Sequence, residues 1–154
     1  MACLDYLAVG IAGFLGAVTR AWLGKLINTG FAAHFPLNTL IINLTGCFVL
    51  SFFLNLTFER LEINPRLRLG IGTGFLGAYT TFSTFSVESI NLVRINLAWL
   101  SLAYILSTSL GCVLLAWAGA VLSRVIIQRG KDTDSLPEEL TTEDTHAQTP
   151  DVER

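Results

Sequence analysis

Four long apolar stretches divide the first 127 residues, separated by short polar punctuation: Leu4 to Leu26, Leu37 to Phe58 behind Pro36, Leu67 to Val93, and Leu97 to Ile127. Each exceeds the roughly 20 residues a helix needs to cross about 30 Å of hydrocarbon. The pattern predicts an all-α membrane protein with four transmembrane helices. The fourth stretch is longer than a crossing needs, so it is expected to tilt or to project from the bilayer. The connections around residues 59–66 and 94–96 are tight, which predicts that consecutive helices are antiparallel neighbours. The first stretch lacks a basic leader and outruns a signal-peptide core, so it reads as a span and not as a cleavable signal.

Polar positions inside the spans are ordered. Thr39, Asn43, Cys47, Ser51 and Asn55 recur every four residues and form a stripe on one face of the second helix. Ser101, Tyr104, Thr108 and Cys112 form a similar stripe on the fourth. Hydrogen bonding between helices is the plain explanation of both. Asn43 stands out because its amide carries two N–H donors, a good match to a strongly hydrogen-bonding anion.

The third stretch departs from ordinary helix composition. Gly70, Gly74 and Ala78 repeat every four residues, the small-residue spacing that lets helices approach closely. Five hydroxyls then crowd into seven positions, at Thr80, Thr81, Ser83, Thr84 and Ser86. Glycine and β-branched threonine disfavour continuous helix, and a break is expected here, near the middle of the bilayer. Backbone groups freed by a break survive in a membrane only where they line a cavity or bind an ion. The run from Gly72 to Gly77 matches the spacing of a dinucleotide fingerprint, but no strand can precede it in this apolar helical setting, so a nucleotide site is rejected. Phe82 and Phe85 share a helix face. Packing explains such a pair, and so does an anion path lined by the positive edges of the rings.

Charge separates the chain into two parts. Residues 1–131 hold nine basic and four acidic side chains, whereas residues 132–154 hold eight acids and Arg154 alone. The first part is the membrane domain. The second, without an aromatic residue, is expected to be a disordered acidic tail. Six basic residues (Arg60, Arg66, Arg68, Arg124, Arg129, Lys131) fall on the face that carries both termini, against Arg20, Lys25 and Arg94 on the other. That small excess favours cytoplasmic termini and leaves insertion in both orientations open. Within the spans, Arg20 sits near a helix end and is expected to anchor at the interface. Glu88 lies deeper and is functional by default, with a hydroxyl or Tyr104 as its partner. Cys3, Cys47 and Cys112 are scattered and read as small core residues. His34 and His146 are solitary, and no catalytic or metal-ligand cluster appears. An enzyme is not expected, nor a nucleic-acid partner.

Three motifs in order resemble the bacterial fluoride channel family known as Fluc or CrcB, over about residues 5–127. They are Gly13-Phe-Leu-Gly-Ala-Val-Thr-Arg20, Asn38-Thr-Leu-Ile-Ile-Asn43-Leu-Thr-Gly46, and Gly74 to Ser86 followed by Glu88. The resemblance implies a broken third helix and an antiparallel, inverted-topology homodimer or a pairing with an oppositely oriented paralogue. It implies two fluoride pores at the dimer interface in the bacterial inner membrane. By motif position the pore residues would be Asn43, Phe82 and Phe85, with Ser83, Thr84 and Thr39 nearby and Tyr104 and Thr108 as a polar track. It also implies a structural sodium ion at the dimer centre, held by the backbone carbonyls of Gly77 and Thr80 from each copy. Departures from the family are Ala78-Tyr79, where small or apolar residues are frequent, and Cys112, where a hydroxyl is common. A route without a carboxylate ring favours a small anion over a cation. The competing reading is a small four-helix proton-coupled drug exporter, which needs a carboxylate central in the first span. Asp5 at its edge does not meet that need.

Overall fold

The computed structural model describes residues 2–27, 35–59 and 63–146, with side chains described at 4–27, 35–59 and 63–129. His34, Arg60, Glu62 and residues 147–154 lie outside the described residues, as do the side chains of Cys3, Lys131 and His146. Every assigned element among the described residues is helical. Helix α1 spans Ala2–Ile27, α2 Leu37–Glu59, α3 Pro65–Leu69, α4 Gly77–Tyr79, α5 Phe82–Arg94 and α6 Ala98–His146, with a π-helical segment Gly70–Leu76 between α3 and α4. Three helices are long and apolar enough to cross a membrane, at Leu4–Ile27, Leu37–Glu59 and Ala98–Arg129.

The stretch from Leu67 to Val93, drawn from hydropathy as one span, is distributed over several short elements. Asn64 caps α3, accepting from the Arg66 amide at 3.0 Å, with Pro65 in the first helical turn. Wide π-type turns then run through Gly70-Ile-Gly-Thr-Gly74. Glycine loosens the preference for α-helical geometry, and the small residues seat this segment against α1. A Cβ on Gly74 would lie 2.7 Å from the carbonyl oxygen of Val9. Helix α4 ends at Tyr79. Thr80 and Thr81 take extended backbone angles (ψ 156° and 115°), and α5 starts at Phe82.

Consecutive helices touch, as the short connections predict, but the largest interfaces lie elsewhere. The most extensive contacts are α2 on α6 and α1 on the π-helical segment. Glycines set these pairs. Gly111 on α6 lies where a Cβ would meet Leu44, and Gly119 where one would come within 2.6 Å of the Phe48 carbonyl oxygen. Close backbone approach of this kind drives helix association where lipid removes the hydrophobic drive. Helix α5 joins the bundle through a tight turn in which Asn96 adopts φ 61°, a conformation asparagine tolerates. Ser101 then donates to the Ser89 carbonyl at 2.8 Å.

Asp5 pairs with Arg66 at 2.8 Å, tying the first turn of α1 to α3. Arg68 lies 4.3 Å from the centre of the Phe58 ring. Helix α6 continues past the membrane-length stretch to His146. Its backbone is helical where the sequence reading expects disorder from residue 132.

Candidate functional site

The extended residues Thr80 and Thr81 are the centre of the site. Helix geometry would point the Thr81 amide at the Gly77 carbonyl. Instead it donates to Asn43 Oδ1 at 2.8 Å, while Asn43 Nδ2 donates to the Thr81 carbonyl at 3.0 Å. Both groups are buried, so α2 replaces the lost helical partners with the two ends of one amide. Thr81 also caps α5, its Oγ1 accepting from the Thr84 amide at 3.2 Å and donating to Thr84 Oγ1 at 2.9 Å. Ser83 Oγ lies 3.3 Å from Thr81 Oγ1. With the Thr81 and Thr84 amides turned elsewhere, the Gly77 and Thr80 carbonyls lose their usual helical donors. Gly46 makes room for this arrangement, because a Cβ there would meet the Thr80 methyl group.

Two cavities flank Thr81. One, of about 310 Å³, is lined by Arg20, Lys25, Asn38, Thr39, Thr81 and Thr84 among others. The other, of about 300 Å³, is lined by Asn43, Cys47, Thr80, Phe82, Phe85, Thr108 and Cys112 among others. Arg20 therefore lines a cavity beside Thr81, where the sequence reading makes it an interface anchor. Hydropathy locates a residue along a helix but not which way it faces.

The aromatic side chains form a chain. Phe82 and Phe85 have ring centres 5.7 Å apart, and Phe85 and Tyr104 5.2 Å apart. Phe35 meets Tyr104 edge-on at 5.6 Å. Phe85 is half-buried, but Phe82 is 80% exposed on the single chain.

Glu88 has the partners anticipated for it. Thr39 donates to Oε1 at 3.0 Å and Tyr104 to Oε2 at 2.9 Å. Each of these hydroxyls has a single proton, and both are spent on the carboxylate. Thr108, which lines the cavity, donates to the Tyr104 carbonyl at 2.7 Å. Three of the eight expected pore residues thus have their hydroxyl protons engaged within the protein. Further down the α2 stripe, Asn55 donates to the Ser51 carbonyl of its own helix at 2.8 Å. Thr81, Gly46 and Lys25 were not singled out for the site by sequence. A hydroxyl directly ahead of an apolar helical run was the available signal for Thr81 as a cap.

Residues 7–120 match the family model described as "CrcB-like protein, Camphor Resistance (CrcB)". The chain belongs to the CrcB-like family. The match runs from α1 into α6 and includes both cavities and the Thr80–Thr81 segment. A relative from Moorella thermoacetica, named fluoride-specific ion channel FluC 1, is 45% identical over 120 residues, covering 78% of this chain and 86% of its own. One of the same name from Bacillus cereus is 40% identical over 126 residues, covering 82% and 92%. A third, fluoride-specific ion channel FluC 2 from Geobacillus kaustophilus, is 44% identical over 114 residues, covering 74% and 88%. Family membership and three span-length apolar helices make this chain a multi-pass membrane protein.

Proposed function

We propose that this chain is a fluoride-specific ion channel of the bacterial inner membrane that lets cytoplasmic fluoride leave passively, and that it is not an enzyme. The observation that carries the reading is the alignment of the chain, over most of its length, with relatives named fluoride-specific ion channels. The geometry supports it. Asn43 uses one amide proton on Thr81 and keeps a second for a passing anion, and Phe82 and Phe85 offer ring edges beside it. Arg20 and Lys25 line the cavity on the other side of Thr81 and would concentrate anions there.

In this reading the segment from Pro65 to Arg94 completes the set of four crossings as a third helix broken at Thr80 and Thr81. The pore is completed by a second copy in the opposite orientation, or by an oppositely oriented paralogue, giving two pores per dimer. The wide exposure of Phe82 supports this, because a ring lining a path needs a facing wall. Sodium would sit on the dimer centre, held by the Gly77 and Thr80 carbonyls of both copies. The fit is good: those carbonyls lack helical donors, and nothing lies within 4 Å of a Cβ built on Gly77. Carbonyl oxygens suit a hard monovalent cation, whose charge would balance the converging dipoles.

A drug exporter coupled to protons lacks its coupling group, since Asp5 is paired with Arg66 at the helix end. The test is release of fluoride from liposomes containing the purified protein, followed with a fluoride electrode. A potassium ionophore supplies charge balance. Release on adding the ionophore supports the proposal. Retention, or release only under a proton gradient, overturns it.

A further inference from the structure

Cys47 and Cys112 continue the two polar stripes, one turn beyond Asn43 on α2 and one turn beyond Thr108 on α6. Both are free thiols, both are partly buried, and both line the cavity that holds Asn43 and Phe85. Both stand where α2 and α6 pack closely, next to Gly111, where a Cβ would meet Leu44. We propose that Cys47 and Cys112 form a two-thiol site for a soft, closed-shell divalent cation, mercury(II), inside this cavity.

The chemistry selects that class. Thiolate sulfur prefers soft ions. Zinc needs four ligands in a structural site, and no cluster of three His, Cys, Asp or Glu side chains exists among the described residues. Two sulfurs alone satisfy an ion content with linear coordination. For mercury(II), each S–H bond gives up its proton and each sulfur forms one bond to the metal. Two protons leave, no electron is transferred, and the product is neutral. A neutral product avoids the cost of leaving net charge at membrane depth. The close packing of α2 and α6 at Gly111 and Gly119 fixes the two helices that carry the sulfurs, which lowers the ordering cost of binding. An ion seated there occupies the path proposed for fluoride and blocks it; this consequence rests on the channel reading, whereas the site does not.

The test uses full-length protein carrying Cys3→Ala, titrated with mercury(II) chloride, with remaining thiols counted by maleimide mass shift. One mercury per chain, consuming both thiols, supports the site. Two mercury ions per chain, or thiols that stay reactive after one has bound, overturns it, and this arm needs no change at either site residue. Cys47→Ser and Cys112→Ser should each weaken apparent affinity by roughly 10²- to 10⁴-fold, the gain expected when a second contact becomes intramolecular. Equal affinity in the single variants overturns the site. A fluoride-efflux arm separates the two readings. Block by mercury that a competing dithiol reverses supports both, while two-thiol binding without block upholds the site and counts against a pore through this cavity.

Discussion

Replacing Asn43 with leucine keeps the side-chain volume close to native and removes both bonds to Thr81. Asn43 and Thr81 are only 6% and 7% exposed, so the bonds between them are shielded from bulk water. A buried donor or acceptor left unpaired costs about 1–3 kcal/mol, and two of them cost roughly 2–6 kcal/mol together. Asn43→Leu should therefore lower the thermal midpoint of the detergent-solubilised protein clearly, and flux should fall because the Thr80–Thr81 segment loses its anchor. Asn43→Asp separates anchoring from permeation. It keeps the acceptor for the Thr81 amide but sets a carboxylate oxygen against the Thr81 carbonyl, so it too should lose stability, and flux is compared with Asn43→Leu at matched folded protein. A fixed negative charge about 4 Å from a passing fluoride costs roughly 4 kcal/mol at an effective dielectric constant of about 20, a slowing of roughly a thousandfold. Thermal melting by size-exclusion chromatography and fluoride efflux from liposomes give the two readouts. An Asn43→Leu protein that melts like the native one would show that these bonds do not hold the segment. An Asn43→Asp protein conducting at the native rate would remove Asn43 from the path.

Phe82→Ile should abolish efflux with little change in stability, because the ring is exposed on the single chain, whereas Phe85→Ile should also lose about 0.5–1.5 kcal/mol of aromatic packing against Tyr104; normal efflux from both would make the rings mere packing. Gly74→Val should destabilise the chain by about 1–3 kcal/mol by overpacking against Val9, read by thermal melting. Gly77→Val has open space around it and should leave the folded chain intact while disrupting dimerisation and sodium dependence; native dimers that conduct normally would count against the cation site. Deleting residues 132–154 should leave efflux and oligomeric size unchanged, and a correctly assembled truncation that fails to conduct would give the tail a role.

Hydropathy located the membrane-length parts of three helices closely, because long apolar runs bounded by Pro36, Glu59 and the Arg94–Asn96 turn leave little choice of boundary, but it did not foresee that the last helix continues to His146. It drew residues 67–93 as one span because a sum over composition is blind to hydrogen-bond register. The unusual glycine and hydroxyl content marked this stretch, but not the π-type turns that occupy Gly70–Leu76. Which helices pair was obscured by the short connections. The informative signal was the distribution of glycines on α1 and α6, where Gly16 and Gly111 accept the closest approaches. The partners of Glu88 were readable because membrane burial leaves a carboxylate few options, and Thr39 and Tyr104 project from neighbouring helices at matching depth. Their consequence was not readable: a stripe of hydroxyls looks like a set of free donors until each proton is assigned. The role of Asn43 as a double clamp on Thr81 likewise depends on the backbone angles of Thr81, which composition does not determine.

The central claim is passive, fluoride-selective conduction through this protein alone. Its most direct test is the reversal potential of the purified protein in a planar bilayer, with fluoride on one side and an equal concentration of chloride on the other. The account predicts a steady current without any proton gradient, its reversal displaced far in the direction set by fluoride permeation. A reversal near zero, or a bilayer that stays silent with correctly folded protein present, would contradict it.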